Sequence, residues 1–113
     1  MNFKFFTTSD FDKSFKRLSK KYPSLPDDLK EFEEEYRQNP TMGIDLGGGI
    51  RKVRIAITSK AKGKSGGARV ITFNAFISEE KNNIVLVNIY DKSEHETMSV
   101  GSIKALLREV GLL

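Results

Sequence analysis

The sequence predicts an α+β domain: two N-terminal helices and one C-terminal helix packed on one face of a small antiparallel sheet of about four strands, in the order βααβββα. Three observations carry that expectation. Apolar residues recur at helical spacing twice before Pro40 and once more near the C-terminus. Between residues 50 and 92, apolar residues alternate with polar ones or run in short stretches bounded by glycine and polar turns, as strands do. The connections between those strands are too short for a crossover, so consecutive strands should pair antiparallel.

The elements follow in order. Residues 2–8 carry Phe3, Phe5 and Phe6 and end in two threonines, which suits a short strand. Ser9 or Asp10 can cap the helix that follows. Phe11, Phe15, Leu18 and Tyr22 form its apolar stripe, lysines and Arg17 cover the rest, and Pro23 ends it. Ser24 and Pro26 open a second helix with Asp27 and Asp28 in its first turn, where carboxylates suit the positive end of the dipole. Its stripe is Leu25, Leu29, Phe32 and Tyr36, and Pro40 stops it. The first helix is basic and the second acidic. An antiparallel hairpin of the two would pair those charges across its seam.

Residues 41–49 read as a glycine-rich connection, with Gly47, Gly48 and Gly49 as a bend. Strands are expected over 50–59, 68–78 and 83–92, with a turn at 79–83. The third is apolar on both faces through most of its length, so it belongs inside the sheet. Asn88, Tyr90 and Lys92 should share one of its faces. A last helix over 99–110 buries Ile103, Leu106, Leu107 and Val110, and Gly111 stops it.

Composition narrows the function classes. With 113 residues, a single domain over 1–113 is the expectation. Hydrophobic residues make up 38% and charged residues 30%, which excludes a disordered chain. No cysteine is present, so disulfides, thiol nucleophiles and thiolate metal sites are excluded. One histidine, His95, is too few for a histidine metal site, and no metal or cofactor is expected. His95 titrates near neutrality but sits in a polar turn with no partner in view. No apolar run approaches the roughly 20 residues that span a bilayer, and the N-terminus does not read as a signal peptide, so a cytoplasmic protein without a membrane partner is expected.

The informative stretch is RKVRIAITSKAKGKSGGAR, residues 51–69. It holds Arg51, Lys52, Arg54, Lys60, Lys62, Lys64 and Arg69 and no acid, and the acid-free zone extends over 46–78. One-signed charge without counter-ions is the footprint of a polyanion partner. In the first strand Val53, Ile55 and Ile57 face one way, while Lys52, Arg54, Ala56 and Thr58 face the other. An antiparallel return through the loop brings Arg69 back towards Lys52 and Arg54. Gly63, Lys64 and Ser65 are similar to the end of a nucleotide-binding loop, but Thr58 stands where its first glycine belongs and a strand follows, so nucleoside triphosphate binding is excluded.

Three segments then carry a family resemblance: DLGGGIRKVRIAI (45–57), GKSGGARVI (63–71) and IYDKSE (89–94). With the order of elements, they resemble the RelE/ParE toxin superfamily of bacterial toxin–antitoxin systems, in its RelE/HigB-like branch, over nearly the whole chain. The resemblance implies a ribosome-dependent, metal-independent mRNA endonuclease that inhibits translation. In such a reaction the ribose 2′-hydroxyl attacks the adjacent phosphate and leaves a 2′,3′-cyclic phosphate and a 5′-hydroxyl. The step needs a base, a stabiliser of the charged phosphorane and an acid.

By resemblance, Lys52 and Arg54 match the basic strand positions and Arg69 the arginine that holds the scissile phosphate, for which its fork is suited. Lys92 matches the basic residue ending the last strand. Arg51, Lys60, Lys62 and Lys64 read as electrostatic tethers to ribosomal RNA. Tyr90 is open to two readings, sheet packing or a catalytic or base-stacking role. The chain departs from the family pattern at Ser93, where some members have arginine, and at Met98 and Ser99, where they carry a tyrosine. The implied partners are the ribosome, mRNA and a cognate antitoxin of the helix-turn-helix DNA-binding kind. Two other readings stand beside this one: a ParE-like gyrase inhibitor, and a non-catalytic RNA-binding regulator.

Overall fold

Alternating side chains of one sheet feed two separate apolar clusters, and that sets the architecture. A computed structural model describes residues 2–61, 63–76, 81–94 and 98–113. Its elements are β1 (Asn2–Thr7), α1 (Ser9–Lys21), α2 (Leu25–Gln38), β2 (Ile44–Gly47), β3 (Ile50–Ile55), a 3-10 turn (Thr58–Lys60), β4 (Ala68–Phe76), β5 (Lys81–Asp91) and α3 (Val100–Glu109). The sheet order is β1-β5-β4-β3-β2.

Phe11 and Leu18 of α1 and Leu25, Phe32 and Tyr36 of α2 pack on Val53, Ile55, Ala68, Val70, Ile84 and Leu86. Ile103 and Leu107 of α3 pack on Ile50, Ile71, Phe73, Val85 and Val87. The two sets alternate along β3, β4 and the first half of β5, so they lie on opposite faces. The α+β class and the three helices therefore stand as expected, but the helices do not share a face: α1 and α2 cover one side and α3 covers part of the other. The reason lies in the strands, whose outward positions at Ile71, Phe73, Val85 and Val87 are themselves apolar and need cover.

The sheet has five strands, and it is mixed. The added strand, β2, comes from the segment expected to be a plain connection. Gly47, Gly48 and Gly49 all have positive φ (89°, 62° and 84°), conformations open to glycine and strained for other residues. The turn they make folds Ile44 and Asp45 back onto Lys52 and Arg51. The Asp45 carboxylate accepts the Gly47 N–H at 2.8 Å and braces it. At the opposite edge β1 pairs with β5 in parallel, Phe3 beside Asn82 and Thr7 beside Leu86. The helical pair α1–α2 lies between these two strands in the chain and supplies the crossover that a parallel pair needs.

That parallel pairing also decides the cap of α1. The Thr8 hydroxyl accepts the Phe11 N–H at 3.0 Å and donates to the Val87 carbonyl at 2.7 Å. Thr8, rather than Ser9 or Asp10, is the cap because it ends β1 directly against β5. At α2 the N-terminal Ser24 makes no side-chain cap. Its hydroxyl donates instead to Asp28, which also accepts the Thr58 hydroxyl (2.6 Å) and the Thr58 N–H (3.0 Å). Asp28 is thus buried as a clamp on the 3-10 turn. The expected charge pairing across the α1–α2 seam is absent among the described residues. Arg17 and Lys21 of α1 turn to Glu94, at 2.9 and 2.7 Å, and Glu35 of α2 turns to Lys64. Among the described residues no helix is long and apolar enough to cross a membrane.

Strand β5 carries a bulge. Thr72 pairs with Leu86 and Ile71 with Asn88, which leaves Val87 as an extra residue. Before the bulge Ile84 and Leu86 face α1 and α2. After it Ile89 does so, and Tyr90 joins Val85 and Val87 on the α3 side.

Candidate nucleic-acid interface

The register of three adjacent strands gathers the predicted residues into rows. Arg54 of β3 pairs with Arg69 of β4, and Arg69 pairs with Tyr90 of β5. One step towards α3, Lys52 pairs with Ile71 and Ile71 with Asn88. Directly opposed side chains stand about 5 Å apart at Cβ and share a face. Two guanidinium groups and a phenol therefore form one row, with a lysine beside it. No acid stands in either row.

The members differ in exposure. Arg54 is exposed and Lys52 is half-buried. Arg69 and Tyr90 are each only 5% exposed. The loop before β4 covers Arg69: its Nη1 donates to the Lys64 and Ala68 carbonyls at 3.2 Å each, and its Nη2 to the Ser65 carbonyl at 3.1 Å. Burial, then the charge of Arg54, pull the Arg69 guanidinium below its ordinary value, against the opposing pull of Tyr90. The Tyr90 hydroxyl is buried and has no hydrogen-bond partner among the described residues. The loop approaches this closely because Gly67 has no side chain: a Cβ there would run into the Ile55 carbonyl oxygen.

Beside the row, Lys52, Arg54 and Lys64 line a groove of about 480 Å³ with Glu35, Asn39 and Met42. Lys64 is exposed and pairs with Glu35 at 3.3 Å. Lys92 is exposed just past β5, and its N–H donates to the Gly67 carbonyl at 3.1 Å.

Other predicted residues are not brought to this face. Arg51 points to the α2 side, where it donates to the Thr41 carbonyl at 2.9 Å and meets Asp45 at 3.7 Å. Lys60 is not free at the surface in this structure: its ammonium is 2.8 Å from Asp91, with the side chains 7% and 0% exposed. Lys62 and His95 lie outside the described residues.

Asp91 was not among the sequence candidates, although it stands inside the quoted IYDKSE segment. An acid at the end of an apolar strand was its available signal. Among the described residues no group of three or more histidine or acidic residues is placed to hold a metal ion.

A family model described as the RelE toxin of the RelE / RelB toxin-antitoxin system matches residues 4–110. The chain belongs to this RelE toxin family. The match covers every described element except the first residues of β1, and it contains both rows and the loop above them. As a RelE-family toxin of a toxin–antitoxin system, the protein has a cognate antitoxin implied as its partner. The five-stranded mixed sheet with three helices agrees with the α+β fold that the resemblance implied.

Proposed function

We propose that this RelE-family toxin is a ribosome-dependent mRNA endonuclease. The observation that carries the reading is the Arg54–Arg69–Tyr90 row, two guanidinium groups side by side with a phenol that has no hydrogen-bond partner among the described residues. Transesterification at phosphorus builds negative charge on the equatorial oxygens, and preorganised cations lower that barrier most where water is thinned out. Arg54, exposed and forked, grips the scissile phosphate, and Lys52 adds a second positive charge from the neighbouring row. Arg69 adds its field from beneath and engages the phosphate when the Lys64 and Ser65 carbonyls release it. The attacking 2′-hydroxyl loses its proton and the departing 5′-oxygen gains one, with Lys52 and Lys92 as the accessible groups and Tyr90, whose hydroxyl is buried, joining them only once it is uncovered. Lys64 and the basic loop hold RNA electrostatically. The antitoxin, a DNA-binding protein of the helix-turn-helix kind, silences the toxin by covering this face, and the working compartment is the cytoplasm, where ribosomes are.

A second reading has an observation of its own. Arg69 already makes three hydrogen bonds to carbonyls of its own chain, two of them in the loop, which favours a protein that binds RNA without cutting it.

Primer extension on a reporter mRNA in a purified translation system decides between them, using wild type, Arg54→Ala and Arg69→Ala, with and without ribosomes. In-frame cuts that need ribosomes and fall at least a hundredfold in Arg54→Ala support the nuclease, the size of loss seen when one charge-stabilising donor is removed. Intact mRNA in every lane overturns it and moves the reading to RNA binding or to gyrase.

A further inference from the structure

Between Tyr90 and Lys92 the chain buries a carboxylate that the proposed chemistry does not use. Asp91 points away from the row, towards the end of α1. Its Oδ2 accepts the Tyr22 hydroxyl at 2.7 Å. Its Oδ1 accepts Lys60 Nζ at 2.8 Å, the Ser93 N–H at 3.0 Å and the Ser93 hydroxyl at 2.9 Å. Lys60 Nζ reaches the Ser93 hydroxyl as well, at 3.3 Å. Burial pushes the Asp91 carboxyl up, but the hydrogen bonds from Lys60, Tyr22 and Ser93 outweigh it and hold the group well below the usual carboxylate range. It is therefore charged, and its partners bound, at any pH where the protein works.

The partners lie at telling places. Lys60 closes the 3-10 turn from which the loop over Arg69 departs. That turn is tied a second time, by Ser24 and Asp28 to Thr58 and Ser59. The loop's far end is tied to the residue after Asp91, through Lys92 N–H and the Gly67 carbonyl. One carboxylate thus holds the loop's first anchor directly and its last anchor through the next peptide unit. A buried ion pair adds little net stability over an apolar pair of the same volume, so a hub of this kind is better suited to fixing geometry.

We infer that Asp91 is a positioning residue: it sets Lys92 and the 63–67 segment over the Arg54–Arg69–Tyr90 row, and so controls the cleavage rate without touching RNA. This rests on the nuclease reading above. The test is a double-mutant cycle in the ribosome cleavage assay with Asp91→Asn, Lys92→Ala and both together, at a temperature where every variant is folded. Asp91→Asn should lower kcat between roughly ten- and a hundredfold, the cost of a misplaced group, with KM for programmed ribosomes nearly unchanged. The double variant should be little worse than Lys92→Ala alone, because the two residues act through one geometry. Fold-losses that simply multiply overturn the inference.

Amide hydrogen exchange gives a readout free of the chemistry. In Asp91→Asn the Lys92 amide should exchange at least about tenfold faster while Val70 and Ile89, inside β4 and β5, keep their protection. Ser93→Ala removes a hydroxyl bond without stranding a charge, and should move both readouts the same way by less. Unchanged Lys92 protection overturns the inference whatever the cleavage result. If wild type leaves mRNA intact, the nuclease reading falls and the exchange measurement alone decides for or against the positioning of Lys92.

Discussion

Replacing Lys60 by methionine separates two tasks that a lysine in this basic segment can have. As a tether to RNA, its loss weakens binding and leaves the fold alone. As the partner of Asp91, its loss strands a buried carboxylate. The ammonium lies 2.8 Å from Asp91, and the two side chains are 7% and 0% exposed. Methionine keeps most of the stem volume and removes the cation. Breaking a buried pair in this way costs about 3–5 kcal/mol. Tyr22 and Ser93 still donate three hydrogen bonds to Asp91, which places the loss near the lower end, about 3 kcal/mol. At roughly 4 °C per kcal/mol for a domain of this size, Tm should fall by about 12 °C.

The sign with pH follows from Asp91. In wild type its folded carboxyl lies below its unfolded value, so its contribution is present above about pH 4 and is lost as pH falls through the acid range below that. In the variant the Lys60 contribution is gone and burial opposes only the Tyr22 and Ser93 hydrogen bonds, so the carboxyl is held down less and contributes less stability above about pH 4. The gap in Tm between the two proteins should thus be widest near about pH 7 and narrow towards about pH 3. Thermal melts across that range, with RNA affinity measured against salt, check it. A variant that melts with wild type but binds RNA more weakly, with a salt slope reduced by about one, refutes the structural task.

Thr8→Ala removes both the cap of α1 and the bond to Val87 and should cost about 2 kcal/mol in urea unfolding, with Thr8→Ser recovering most of it. Gly67→Ala drives a methyl into the Ile55 carbonyl at the base of the β3–β4 hairpin and should cost about 1–3 kcal/mol, read as a lower melting temperature. Lys64→Gln breaks an exposed pair with Glu35, so its melt should shift by less than about 1 kcal/mol, while the slope of RNA affinity against salt should fall by about one.

How much of the site was legible depends on how far each partner lies along the chain. The alternation from Val53 to Ile57 announced that Lys52 and Arg54 share a face, because the period of a strand is local. A short basic loop announced that Arg69 returns beside them, and the register pairs Arg54 with Arg69. Tyr90 was harder. Strict alternation sets it on one face with Ile84 and Leu86, which pack under α1 and α2. The Val87 bulge turns the strand over and delivers Tyr90 to the face of Arg69. Nothing in IVLVNIY marks the bulge, since valine, leucine and isoleucine suit either face.

Lys60 shows the same limit from the other side. Its place in a run of cations suggested a free charge. Its partner lies 31 positions away, on a strand that the loop must first fold beside. The acids of α2 failed likewise as partners for α1, because Glu94 and Lys64 arrive from distant segments and compete for the same charges.

By itself, then, the sequence determined the helices with most of their stripes, the three strands from Ile50 onward, the absence of thiol chemistry and the basic strand–loop–strand. Each follows from spacing or composition within a few turns of chain, where side-chain direction is set by the backbone period. Val110, expected in the last stripe, is 44% exposed beyond the end of α3, and the strand expected over 50–59 stops at Ile55, where Thr58–Lys60 turn onto Asp28. The tertiary structure decided what depends on pairing between distant segments. It set β1 parallel to β5, made a fifth strand from a glycine turn and put α3 on the face opposite α1 and α2. It also divided the cations, leaving Arg54 open, covering Arg69 with loop carbonyls and burying Lys60 on Asp91. A charge costs little in water and much in the interior unless paired, so which cations are free to meet a phosphate is settled only when the chain has closed around the others.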